Sequence, residues 1–277
     1  MPTSISWCQT GEALKVNCIG CFNRLQRFNS NYTNSDELLD MKNILPRSWA
    51  RKIKQGLINR SGIYRDMTTR LQVLQRANFR CTGAIDAGAY RGDWTQEFWS
   101  VFPKTPTLMV EPQPDPQPFL RDLAKGVIGS EVLPAALSDQ VGEASFVLGE
   151  SNSRISSSVA SDTTLSVPCT TLARVLSERP QFSPNLLKLD LQGHELKALI
   201  GADKWLNQFE VIVCEMSVIP IGGVPDFASM NRFFESKGYQ FYDVLPQYDR
   251  PLDGALWQID AFYVRCGSAL IASTAWG

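Results

Sequence analysis

The sequence predicts an α/β fold: a doubly wound, mostly parallel sheet that ends in an antiparallel hairpin, behind a helical preface. Three observations carry this. From residue 83 onward, short apolar runs alternate with segments of helical period, as parallel strands joined by crossover helices do. The stretch Ala84-Ile85-Asp86-Ala87-Gly88-Ala89-Tyr90-Arg91-Gly92 reads as the end of a buried strand turning sharply into a helix, with glycines where the backbone must pass close to something. The last two apolar runs, 239–244 and 257–264, are joined without a helical pattern, so they are expected to pair antiparallel.

The elements follow in order. Residues 1–35 are polar and irregular, and Asn29 to Asn34 reads as loop. Ser35 can cap a helix from Asp36 that Pro46 ends. Helices around 48–59 and 66–78 lead to a first strand at 83–86. A helix from Trp94 to Val101 precedes a strand at 107–111, and a helix near 116–125 precedes a strand at 131–135. Residues 144–148, a serine-rich loop at 151–166 and a helix from Leu172 come next. Strand 186–190, helix 194–200, strand 210–215 and helix 227–237 complete the alternation before the hairpin. The plan is thus an irregular segment (1–35), a helical extension (36–80), a sheet domain (81–266) and a tail (267–277).

Composition sets limits. With 277 residues, 44% of them hydrophobic, the chain can bury one large core and a small accessory element. No apolar run approaches the roughly 18 residues of a membrane helix, and the N-terminus shows no leader-like apolar stretch. The seven cysteines are odd in number and scattered, and Cys81 and Cys214 sit in or beside strand-like runs, as buried free thiols do. A reducing, cytoplasmic setting is expected. Cys18-x-x-Cys21 lacks a second pair or nearby histidine, the single histidine being His194, so it reads as incidental thiols rather than zinc ligands. Residues 1–80 hold 13 Lys and Arg against 5 Asp and Glu, in amphipathic patterns with basic outer faces. The favoured reading is a solvated face; the sharper one is a patch for an anionic partner such as a membrane surface. Sparse interleaved aromatics argue against nucleic acid.

A carboxylate, Glu111, ends the second strand 25 residues after Asp86. At the tip of that strand it can accept two hydrogen bonds from a ribose diol, which points to a nucleoside ligand. The loop spacing is Asp86-x-Gly88-x-x-x-Gly92, without the compact triple glycine of dinucleotide sites. An anionic Asp86 would repel a pyrophosphate but suits an ammonium or sulfonium. S-adenosylmethionine carries both.

The segments 85–92, Val110-Glu111-Pro112, Ala135-Ala136-Leu137-Ser138-Asp139 and Leu187-Lys188-Leu189-Asp190-Leu191-Gln192-Gly193-His194-Glu195 occur in a telling order. With Leu199-Ile200-Gly201-Ala202, Val213-Cys214-Glu215 and the late Gln258-Ile259-Asp260, the chain resembles the FkbM family of S-adenosylmethionine-dependent O-methyltransferases over roughly residues 71–265. K-x-D-x-Q-G-x-E followed by L-x-G-A is the most specific part. The resemblance implies a Rossmann-like, seven-stranded sheet of the class I methyltransferase type with its last strand antiparallel. It also implies methyl transfer to hydroxyl groups of sugars, glycans or related small molecules.

On that basis Asp86 is expected to hold the methionine ammonium, directly or through water. Gly88 and Gly92 let the loop, with Ala89 and Tyr90, pass near the cofactor. Glu111 beside Pro112 takes the ribose, Leu137 packs on adenine, and Ser138 and Asp139 face its amino group. Asp190 lies nearest the sulfonium. Candidate bases are Asp190, His194 and Glu215, with Asp260 more remote. Glu195 is expected to satisfy backbone N–H groups at its helix start. Arg154, Ser156, Ser157 and Glu215 are candidates for the acceptor. No metal is expected, and a homo-oligomer is compatible with the sequence. Two rival classes are a nucleotide- or NAD-linked enzyme, which needs the pyrophosphate loop lacking here, and a non-catalytic binding module that keeps the fold.

Overall fold

A computed structural model describes residues 66–147, 154–155, 164–220 and 224–273. The helices expected near 36–46 and 48–59, and Cys18 with Cys21, lie outside the described residues. The main sheet has seven strands: β1 (Ala84–Ala87), β2 (Thr107–Val110), β3 (Glu131–Leu133), β8 (Leu186–Leu189), β9 (Val211–Ser217), β10 (Tyr239–Asp249) and β11 (Leu256–Arg265). Their order is β10-β11-β9-β8-β1-β2-β3. β1, β2, β3, β8 and β9 pair in parallel, whereas β11 runs antiparallel to both β9 and β10. From β1 the chain steps to β2 and β3, then crosses to the other side for β8 and β9. The order therefore reverses between β1 and β8, where an open α/β sheet leaves a crevice at its carboxyl edge.

The central strands form because their residues are apolar on both faces. Every residue of β1, β2 and β8 is buried, as expected of parallel strands covered by helices on both sides. Two charged residues break the pattern together: Asp86 on β1 stands in register beside Lys188 on β8.

The flanking helices are α1 (Met67–Arg76), α2 (Asp93–Val101), α3 (Gln117–Ala124), α4 (Leu172–Ser177), α5 (Glu195–Ile200) and α6 (Phe227–Ser236). Asp66 caps α1 by accepting from the Thr69 N–H at 2.8 Å. The sequence plan put α1 in an extension ending at residue 80. Its apolar face instead shares a core with Phe98, Val101, Phe102, Phe262 and Val264, and Arg70 reaches Asp243 of β10 at 2.6 Å. The expected tail is likewise tied down at its start, for Ser268 donates to Glu210 at 2.6 Å and Leu270 and Ile271 pack on the same core.

A second sheet departs from expectation. β4 (Ala136–Leu137), β5 (Gly142–Val147), β6 (Arg154–Ile155) and β7 (Thr164–Thr170) form four strands in the order β4-β7-β5-β6. Residues 164–166, read as loop, open β7. Its Val167 and Cys169 join Ala136 and Phe146 in a small separate core. Among the described residues no helix is long and apolar enough to cross a membrane.

Tyr239 fastens the start of β10. Its buried hydroxyl lies 2.6 Å and 2.7 Å from the Leu206 and Phe209 carbonyl oxygens. Tyr239→Phe leaves both acceptors without that donor and is expected to cost about 1–3 kcal/mol, read as a lowered melting temperature with unchanged far-ultraviolet dichroism. An unaltered melting temperature would contradict the role.

Candidate active site

A cavity of about 300 Å³ opens at the carboxyl edge of the main sheet. One wall comes from the loop after β1 and the tips of β2 and β4. The other comes from β8, β9 and the hairpin β10–β11, with the first turn of α2 between them.

The loop after β1 is fixed by close packing against its own chain. Gly88 has φ +78°, and a Cβ there would lie 1.9 Å from the Asp190 carbonyl oxygen. Gly92, at φ +72°, is the N-cap of α2, where a Cβ would meet Leu123 Cδ2 at 2.5 Å. Gly92 does not line the cavity, and its missing Cβ makes room for α3. Ala89 and Tyr90 line the cavity with Gly88.

Glu111 lines it beside Pro112 and is held ready by the backbone. The Tyr90 N–H donates to Oε2 and the Gln113 N–H to Oε1, each at 2.8 Å. Burial pushes this carboxyl above its ordinary value, against the pull of the two N–H groups. Two backbone donors leave lone pairs on both oxygens for a further donor such as a hydroxyl.

Asp86 differs from expectation. It is fully buried and lies off the cavity wall; Thr95 donates to its Oδ2 at 2.6 Å and the Lys188 ammonium stands 3.1 Å from Oδ1. Its carboxylate is therefore engaged by groups of the protein itself and does not line the cavity. Lys188, missed in the sequence reading, lines the cavity, donates to the Gly88 carbonyl at 3.1 Å and stands 3.5 Å from Asp190. Burial works against its charge, but Asp86 and Asp190 outweigh that and hold it above its ordinary value.

Three acids follow in a row across adjacent strands. Asp260 on β11 stands in register with Glu215 on β9. Asp190 follows Leu189, the partner of Cys214, and so neighbours Glu215 at the end of β8. One Gln192 amide donates to Asp190 at 2.8 Å and to Glu215 at 3.0 Å. Gln247 binds Asp260. Burial, then the charges of Asp190, Glu195 and Asp260, push Glu215 up to about 10. Burial and Asp190 push Asp260 to about 6. Glu195 accepts from the Leu191 and Gly193 N–H groups at 2.7 Å and 3.1 Å, and burial lifts it to about 7. Its partners lie in the loop before α5.

His194, the N-cap residue of α5, lines the cavity and meets Ser138 Oγ at 2.9 Å through Nε2. That hydroxyl donates to Asp139 at 2.9 Å, so its single proton is committed and Nε2 is the donor to it. Burial, then the nearby Lys197 charge, lowers His194 below its ordinary value against Asp139. Leu137 lines the cavity, Ser138 and Asp139 do not, and Asp139 is exposed and accepts from Ser138. Arg154 lies on β6, paired through its backbone with Val147. Ser156 and Ser157 are outside the described residues. Trp94, Gln192, Gln247 and Tyr248 also line the cavity, and none was singled out from sequence as a site residue. Among the described residues no three His, Cys, Asp or Glu side chains are grouped to hold a metal ion.

The family model for the methyltransferase FkbM domain matches residues 86–241, from Asp86 to Phe241. The chain belongs to the FkbM methyltransferase family. No curated protein gives a significant match. Similar solved structures include the methyltransferase domain of bacterial CtHen1-C, at 9% identity and TM-score 0.43, covering 72% of this chain and 95% of that one. The N-methyltransferase NodS from Bradyrhizobium japonicum WM9 aligns at 8% identity and TM-score 0.43, over 72% and 94%. Precorrin-6y C5,15-methyltransferase from Geobacter metallireducens GS-15 aligns at 14% and 0.39, over 72% and 87%.

The acid row gives this FkbM methyltransferase a distinct pH signature. Above the ordinary carboxyl value an unfolded Glu215 has lost its proton while the folded one keeps it. The folded state then binds more protons, so stability falls as pH rises between about 4.5 and 10. Asp260 and Glu195 add the same sign over narrower windows, ending near 6 and 7. From pH 7.5 to 9 the ligand-free protein is expected to lose melting temperature more steeply than Glu215→Gln. Parallel slopes would refute a protonated Glu215.

Proposed function

We propose that this methyltransferase uses S-adenosylmethionine to methylate a hydroxyl of a sugar, glycan or related polyhydroxylated small molecule. The observation that carries the reading is a single crevice with two unlike walls. One holds Glu111, oriented by backbone N–H groups, near apolar Pro112, Ala136 and Leu137. The other carries Tyr248 beside Gln192, Gln247, Glu215 and Asp260, with Trp94 of α2 between the two.

The first wall suits an adenosyl group. Glu111 would accept from the ribose hydroxyls, and the apolar residues would pack on adenine. The bound cofactor supplies a methyl group on a positively charged sulfur, so most of the protein's task is alignment, worth up to about 7–11 kcal/mol. The loop after β1 lacks the triple glycine that brings a pyrophosphate onto a helix start, which weighs against a dinucleotide.

The second wall suits a polyol. Aromatic rings offer apolar faces to ring C–H groups, while carboxylates and amides pair with hydroxyls in two directions. Asp190, Glu215 and His194 line the same cavity and are the groups proposed to take the hydroxyl proton. Of these, His194 is held by Ser138 with its other ring nitrogen left to accept. Arg154, on β6 opposite Val147, is carried as part of the acceptor proposal. The free thiols Cys81, Cys169, Cys214 and Cys266 suit a reducing cytoplasm.

Calorimetry is expected to show binding of S-adenosylmethionine and none of NAD, and Glu111→Ala to weaken the former at least about a hundredfold, or roughly 2.7 kcal/mol. Heat from NAD, or an unaffected Glu111→Ala, would overturn the cofactor assignment. Labelled methyl transfer to a panel of sugars and glycan extracts tests the acceptor; transfer only to amines or carbon acids would sink it. With the acceptor found, Tyr248→Ala is expected to raise KM about tenfold and change kcat less, the mark of lost uniform binding.

A further inference from the structure

The acid row has a property that the methyl-donor reading alone leaves unused. We propose that Glu215 exchanges a proton in step with the charge on the bound donor, releasing it when a sulfonium enters the crevice and regaining one when the sulfur becomes a neutral thioether. This rests on S-adenosylmethionine being the donor.

The geometry is a crowd of acids around one cation. Asp190, Glu215 and Asp260 stand side by side on β8, β9 and β11. Asp86 lies beneath them on β1, Glu195 on α5 and Glu97 on α2. Lys188 is the cation among them, and it is already divided between Asp86 at 3.1 Å and Asp190 at 3.5 Å. The other groups near Glu215 are Tyr248 from β10, Cys214 from its own strand, and the neutral amides of Gln192 and Gln247.

Glu215 is the middle acid of the three, with one on the neighbouring strand to either side. It is 8% exposed and lines the cavity. Its Oε2 takes one amide proton from Gln192, and among the described residues Oε1 has no hydrogen-bond partner. A buried carboxyl beside two others keeps its proton until another positive charge arrives. A sulfonium in the crevice is such a charge, and a thioether is not.

The exchange balances. On binding, the Glu215 O–H bond breaks, its electron pair stays on the carboxylate and the proton leaves to solvent. The returning proton is the one the acceptor hydroxyl gives up as its oxygen takes the methyl carbon, while the S–C electron pair stays on sulfur. The crevice thus holds an ionised Glu215 only while a methyl group is there to transfer.

The test compares S-adenosylmethionine with S-adenosylhomocysteine by calorimetry at pH 8, in buffers of different ionisation enthalpy. Binding of the first is expected to release close to one proton and binding of the second close to none. Between pH 7 and 9 their affinity ratio should change by up to about tenfold per pH unit, favouring the sulfonium as pH rises. Glu215→Gln should abolish the difference. Asp260→Asn, a second variant that thins the crowd, should move it to lower pH. Equal proton counts in the wild type, or a difference that survives Glu215→Gln, would overturn the proposal while leaving the donor assignment standing. Failure of both ligands to bind would overturn the donor reading and this exchange with it.

Discussion

The ion pair between Lys188 and Asp86 is the constraint on which the rest of the structure depends. A fully buried carboxylate is prohibitive alone, and a buried ammonium equally so. The register of β1 against β8 sets them 3.1 Å apart at the point where the sheet order reverses. Thr95 ties the same carboxylate to α2, and the lysine also holds the Gly88 carbonyl. Two central strands, the crossover helix and the turn between them are thereby locked as one piece. The cavity is a consequence of that lock, since its floor cannot shift without exposing a buried charge.

What the floor carries is held chiefly by main-chain N–H groups and side-chain amides rather than by long flexible cations. Glu111 rests on Tyr90 and Gln113, Glu195 on Leu191 and Gly193, and Asp190 and Glu215 share Gln192. Such donors come pre-oriented by the loops they belong to, so little ordering remains for the moment of binding. The price is a crowded set of like charges, visible in the raised Glu215 and Asp260.

The main sheet was legible in the sequence because its strands are continuous apolar runs with clear breaks. The second sheet was not: two of its strands have two residues each, and β4 pairs with the distant β7. Alternation of Leu165, Val167 and Cys169 was its available signal. The partner of Asp86 was hidden for a related reason. An acid at a strand tip looks like a ligand when its partner is far along the chain, although period two already put Lys188 on the same strand face as Asp190. Gly92 answers to α3, a contact between elements that spacing alone does not specify. Glu111 was proposed from its place at a strand end alone, for one of its two donors, Tyr90, lies 21 residues away in the chain. The aromatic wall was not, because Trp94 and Tyr248 come from opposite ends of the domain.

Tyr248 sits on β10, the outermost strand, beyond which no further strand pairs in the main sheet of the described residues. One end of the wall proposed for the acceptor is therefore built at a margin, while Glu215 in the same wall stands on an interior strand. Lengthening, trimming or re-tilting the hairpin tip disturbs few neighbours. Evolution can thus retool which molecule is accepted in this crevice and leave the donor's seat untouched.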